Sequence, residues 1–186
     1  MADQDLTAQE KKELLEVARQ TISHKLQHGK FEQAVPTSPA LSRPCGAFVS
    51  LHESGGLRGC IGTFQSNRPL VNTVQEMAVS AAERDPRFPS LRPDELESID
   101  IEISALSPLR QIEDVSEIEV GRHGIYITRG YNSGVLLPQV ATEYGWDRET
   151  FLQHTCLKAG LPPESWKEAD IKIEIFDAQV FGEKET

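Results

Sequence analysis

Apolar positions along this chain recur with two different periods, and the switches between them mark its elements. Leu14, Leu15, Ala18, Ile22 and Leu26 form one stripe at helical spacing. The stripe follows Thr7-Ala8-Gln9-Glu10, a capping-box pattern with Thr7 as N-cap, and it ends near Gly29. Gln33 to Pro44 carries three prolines and predicts a loop or an extended lead-in. Cys45 to Leu51 and Leu57 to Phe64 then read as two strands of a hairpin, joined through His52-Glu53-Ser54-Gly55-Gly56. Pro69 suits the first turn of a second helix, whose buried stripe is Leu70, Val74, Met77, Ala78 and Ala81. Asp85-Pro86-Arg87-Phe88-Pro89 ends that helix, because proline forces the residue before it out of helical geometry.

The second half repeats the alternation. Ile99, Ile101 and Ile103 interleave with Asp100, Glu102 and Ser104, the period of a half-exposed strand. Gly124 to Arg129 predicts another strand, and Gly130 to Gly134 a turn into Val135-Leu136-Leu137. A short helix is expected from about Gln139 to Tyr144. A longer one runs from Arg148 to Ala159, capped by Asp147 and stopped by Gly160. Ile171, Ile173 and Ile175 alternate with Lys172 and Glu174 in a last strand reaching to Phe181. Strands arrive as neighbouring hairpins and not as β-α-β units, which predicts an α+β fold: antiparallel or mixed hairpins with flanking helices. A length of 186 residues suits one domain over residues 1–186, with a large and a small lobe as an open variant.

Composition narrows the function classes. A net charge of −10 disfavours a sequence-independent grip on nucleic acid, so a nucleic-acid-binding module is the least favoured reading. No apolar run approaches the ~20 residues that span a bilayer, and the acidic, polar N-terminus does not resemble a signal peptide. Three cysteines (Cys45, Cys60 and Cys156) lack a C-x-x-C pair, which argues against a disulfide framework and for the cytoplasm. No spacing predicts a metal site, and no helix-opening phosphate loop predicts a nucleotide; no cofactor is expected.

Candidate chemistry centres on Leu57-Arg58-Gly59-Cys60-Ile61-Gly62-Thr63-Phe64. Strict alternation places Leu57, Gly59, Ile61 and Thr63 on one face, and Arg58, Cys60, Gly62 and Phe64 on the other. A guanidinium two residues from a thiol favours the thiolate, which makes Cys60 a candidate nucleophile; a small buried hydrophobe is the equal alternative. Gly59 and Gly62 are unusual in a strand and mark a close approach by ligand or backbone. His154, at the edge of the last helix's buried face, is the candidate base, with a structural histidine as the plainer reading. Asp85 and Arg87 sit on a rigid loop, where Arg87 would grip a carboxylate or phosphate, or simply pair with Asp85. Gln139 and Glu143, four apart, would face one site, although Glu143 is the more natural surface acid. Cys45 and Cys156 read as packing residues.

These residues also carry a family resemblance. Leu57-Arg58-Gly59-Cys60-Ile61-Gly62 resembles the hexapeptide signature of the AMMECR domain family, called AmmeMemoRadiSam system protein A in prokaryotes. The similarity continues through Asp85-Pro86-Arg87-Phe88, Leu136-Leu137-Pro138-Gln139-Val140-Ala141, Trp146, and Phe151-Leu152 to Ala159-Gly160-Leu161. It spans about residues 10 to 182. The resemblance implies a single α+β domain of undefined activity, associated with a Memo-type protein and a radical S-adenosylmethionine enzyme. Two readings follow. The chain is an accessory or substrate-binding component with a cleft around Arg58 and Cys60. Alternatively, it is a stand-alone enzyme using Cys60 as nucleophile, His154 as base and strand amides to hold an oxyanion.

Overall fold

The computed structural model describes residues 5 to 185; the first four residues and Thr186 of the expected 1–186 domain lie outside the described residues. Two compact units emerge. One comprises the chain up to Leu106 together with the segment from Gln179 onward, and the other comprises Ser107–Ala178.

In the first unit, helix α1 (Ala8–His28) starts on the expected capping box: Thr7 Oγ1 accepts from the Glu10 amide at 3.2 Å, and the Glu10 carboxylate accepts from the Thr7 amide at 2.8 Å. Gly29 ends it at φ 71°. A short helix, α2 (Pro39–Ser42), occupies the proline-rich stretch expected to be loop. Ser38 caps it and Pro39 fits its first turn, so the prolines that argued against regular structure start a helix instead. Strands β1 (Ala47–Glu53) and β2 (Gly56–Thr63) form the hairpin. Its two-residue turn, Ser54-Gly55, has positive φ at both positions (51° and 83°), as mirror-image hairpin turns require. Helix α3 (Leu70–Glu83) follows, and β3 (Ile99–Leu106) pairs antiparallel with the other side of β1. Ala47, Val49 and Leu51 of β1 and Ile99, Ile101 and Ile103 of β3 face inward, where they pack with α1 and α3. Met77, expected in the buried stripe, is only partly buried at the margin of this core.

The second unit contains β4 (Arg110–Ile112), β5 (His123–Arg129), β6 (Asn132–Leu136), α4 (Pro138–Glu143), α5 (Arg148–Lys158) and β7 (Lys172–Gly182). Here β7 pairs antiparallel with both β4 and β5, and β5 with β6. Strand β4 has no counterpart in the sequence reading, because three residues are too few to show a period. Strand β6 begins at Asn132, inside the stretch expected to be turn. Gly134 lies within it because a Cβ there would stand 2.4 Å from the Ala159 amide nitrogen, so only glycine lets the end of α5 come this close. Phe151, Leu152 and Cys156 of α5 pack on Ile125, Ile127, Ile173 and Ile175. Glu174, which alternates with the core isoleucines, is itself buried and accepts from Lys172 Nζ at 2.7 Å. The final residues of β7 belong to the first unit, with Phe181 in that unit's core. The fold is α+β.

Candidate functional site

The hexapeptide strand β2 departs from strict alternation at one residue. Leu51 pairs with Gly59, but His52 pairs with Leu57, leaving Arg58 as the extra residue of a β-bulge. The bulge reverses the phase of everything before it. Leu57, which strict alternation puts on the face of Gly59 and Ile61, is 41% exposed, and Arg58 does not stand beside Cys60. Arg58 is instead buried in a two-pronged pair with Glu95 (Nε–Oε1 3.0 Å, Nη2–Oε2 3.2 Å), with Nη1 donating to the Pro89 carbonyl. This pairing is the leading reason the Glu95 carboxyl is held below its ordinary range. Arg58 thus anchors the chain after α3, which corrects its assignment as the cation next to the thiol.

The cation next to the thiol is Arg87. Cys60 and Ser50 face each other across β2 and β1, and the Cys60 amide and carbonyl both point away from β1. They meet a clamp from the loop after α3. Asp85 Oδ2 accepts from the Cys60 amide at 2.8 Å, and Arg87 Nη2 donates to the Cys60 carbonyl at 3.3 Å. Asp85 also accepts from the Arg87 amide (3.1 Å), Nε (2.9 Å) and Nη2 (2.7 Å). Four donors on one buried carboxylate, the Arg87 guanidinium foremost, hold the Asp85 carboxyl well below the usual carboxylate range. Arg87 itself stays exposed, with the Cys60 thiol among its electrostatic partners.

Pairs that face each other outside the ladder hydrogen bonds bring their side chains close. Ser50 Oγ accordingly donates to Cys60 Sγ at 3.2 Å. The same register sets Glu102 of β3 opposite Ser50, so Cys60, Ser50 and Glu102 form one row across three strands on the face away from the helices. His52, one row along, places Nε2 4.0 Å from Glu102 Oε1, and that buried nitrogen has no hydrogen-bond partner among the described residues. Cys60 is half-buried, whereas Cys45 and Cys156 are buried. Burial pushes the Cys45 thiol up to about 11 and raises that of Cys156.

Gly59 and Gly62 have packing reasons. A Cβ on Gly59 would lie 2.3 Å from the Ala81 carbonyl oxygen of α3, and one on Gly62 would lie 2.2 Å from the Phe48 ring. The close approach expected at these glycines is thus by helix backbone and by an aromatic ring.

His154 and Gln139 belong to the second unit and Cys60 to the first. The His154 ring stacks on Trp146 (3.9 Å between centroids, 8° between planes), and Trp146 stacks on Tyr144 at 5.0 Å. Gln139 lies in the first turn of α4, where its carbonyl accepts from Thr142 Oγ1. Ser50, His52 and Glu102 were missed by sequence reasoning. Their signal was present, since they occupy the polar positions of two alternating strands, but alternation alone does not say which polar faces become neighbours.

Among the described residues no three His, Cys, Asp or Glu side chains converge as metal ligands, and no described helix is long and apolar enough to cross a membrane.

The AMMECR1 family matches residues 15–181. The chain belongs to the AMMECR1 family. Protein MK0488 of Methanopyrus kandleri is 47% identical to it over 189 residues, covering 97% of this chain and 91% of that protein. Protein MJ0810 of Methanocaldococcus jannaschii is 46% identical over 148 residues, 75% of this chain and 74% of the relative. The crystal structure of the uncharacterized protein PH0010 from Pyrococcus horikoshii superposes with a TM-score of 0.77 at 40% identity, covering 92% of this chain and 90% of that one. Within this AMMECR1-family chain the signature hexapeptide is therefore a bulged edge strand. Its one half-buried thiol sits between a serine hydroxyl and a clamped arginine.

Proposed function

We propose that this AMMECR1-family protein is a substrate-binding accessory component, working with a Memo-type protein and a radical S-adenosylmethionine enzyme, and that its working surface is the Cys60 edge of β2. The partners are those implied by the signature motifs. The observation that carries the surface is the surroundings of Cys60. Asp85 fixes the Arg87 guanidinium by two prongs while leaving it exposed, where a carboxylate or phosphate can reach it. The thiol beside it receives the Ser50 hydroxyl, a bond that strengthens as sulfur gains negative charge. An anionic substrate group bound at Arg87 would thus lie against a nucleophilic sulfur.

Two measurements test this reading. Alkylation of Cys60 by iodoacetamide near neutral pH should be faster than that of an unfolded-chain cysteine, and R87A should slow it several-fold. An inert Cys60 would sink the thiol's part. Co-expression with a Memo-type protein should give a complex on size-exclusion chromatography that R87A weakens, and absence of any complex overturns the accessory role.

A further inference from the structure

We propose that His24 and His28 form a two-histidine site for a divalent transition-metal ion of the zinc, nickel and copper(II) class. The site stands apart from the Cys60 edge and does not depend on the function proposed above. The two residues are four apart on α1, and this spacing puts their side chains on one face, one turn apart. Their ring centroids are 5.8 Å apart with planes at 73°. Metal–nitrogen bonds of about 2.0–2.1 Å with a near-tetrahedral angle put two imidazole centroids about 5 Å apart. A rotation of exposed side chains by less than an ångström at the ring centres closes that gap.

Three further features favour an ion here. Neither imidazole has a hydrogen-bond or ion-pair partner among the described residues, so all four ring nitrogens are available to metal or water. His28 is the last residue of α1, where unpaired carbonyls give the helix end a partial negative charge that favours a cation. The ammonium group on the same turn, Lys25 Nζ, is engaged by the Gly29 carbonyl at 2.8 Å and by the Glu83 carboxylate at 3.9 Å.

Both histidines also line a cavity of about 520 Å³ in the first unit, together with Lys30, Phe31, Glu32 and Gln33. Its buried floor residue, Gln75, is fully engaged: Nε2 donates to Thr21 Oγ1 and the Glu32 carbonyl, and Oε1 accepts from the Ala34 amide. The floor therefore offers an ion nothing, and the rim histidines offer two ligands. Since no third such side chain converges, the remaining coordination positions would open to water in the cavity. Imidazole donors with open positions select the borderline ions over magnesium or calcium.

The test is calorimetric titration of the tag-free full chain with nickel chloride, in parallel with H24A, H28A, H24A/H28A and C60S proteins. One equivalent should bind to the wild type. Either histidine variant should bind roughly tenfold more weakly or worse. C60S should match the wild type, and magnesium chloride should give no signal. Both histidines are exposed, so circular dichroism should show the variants folded. No binding by the wild type, unchanged binding by the H24A/H28A double variant, or loss of binding in C60S would each overturn the site. The first two results leave the Cys60 surface untouched, and the third would place the ion at Cys60 instead.

Discussion

Gly59 and Gly56 sit three residues apart in one strand and meet different surroundings. A methyl group on Gly59 would collide with the Ala81 carbonyl, a backbone atom that cannot swing aside, whereas one on Gly56 meets nothing nearer than 3.6 Å. Gly59→Ala should therefore cost about 1–3 kcal/mol, as overpacking does. Gly56→Ala should stay within about 0.5 kcal/mol. Urea unfolding of the two variants checks both figures, and equal losses would mean α3 gives way more easily than its carbonyl position implies. Single residues of this kind mark how far the sequence could be read. That Gly59 and Gly62 accommodate something close was legible from their presence in a strand. That Gly59 makes room for a helix, and Gly62 for the Phe48 ring, depends on packing from distant residues and was not.

At the scale of elements, whatever rests on local period or capping was plain beforehand: the capping box of α1, its Gly29 stop, the alternating isoleucines of β3 and the Asp147 cap of α5. What depends on how strands pair was hidden. The bulge at Arg58 exists only relative to β1, so alternation counted along β2 alone put Leu57 on the wrong side and Arg58 beside the wrong partner. The clamp on Cys60 joins residues 25 apart and closes the otherwise unpaired edge of β2 with a carboxylate and a guanidinium. Its pH dependence follows from the lowered Asp85 carboxyl. A depressed carboxylate stabilises the fold fully above the unfolded-chain value of about 3.9, and that contribution is lost as pH falls through the lower folded value. Asp85→Asn should thus be markedly less stable than wild type at pH 7, with the gap narrowing below about pH 4. Paired urea titrations across that range measure it; a gap that does not change with pH would show that Asp85 acts by shape alone.

Across the whole molecule, two separate hydrophobic clusters correspond to the two units. Phe151, fully buried, belongs to the second. Phe151→Ala should cost about 3–5 kcal/mol. The loss of amide-exchange protection should concentrate in residues 107–178, as local opening predicts. Uniform loss along the chain would show that the clusters melt as one. The first unit is discontinuous, and its late segment bears several of its ties. Gln179 Oε1 accepts from the Leu6 amide, Phe181 fills the core, and Glu183 takes both Arg19 and the Ile101 amide. On the ribosome, the stretch from Ser107 to Ala178 would leave the exit tunnel with every strand and helix of its own unit already made. The signature hexapeptide, translated much earlier, belongs to a unit whose ion pairs and core cannot close until the segment from Gln179 to Glu183 has followed.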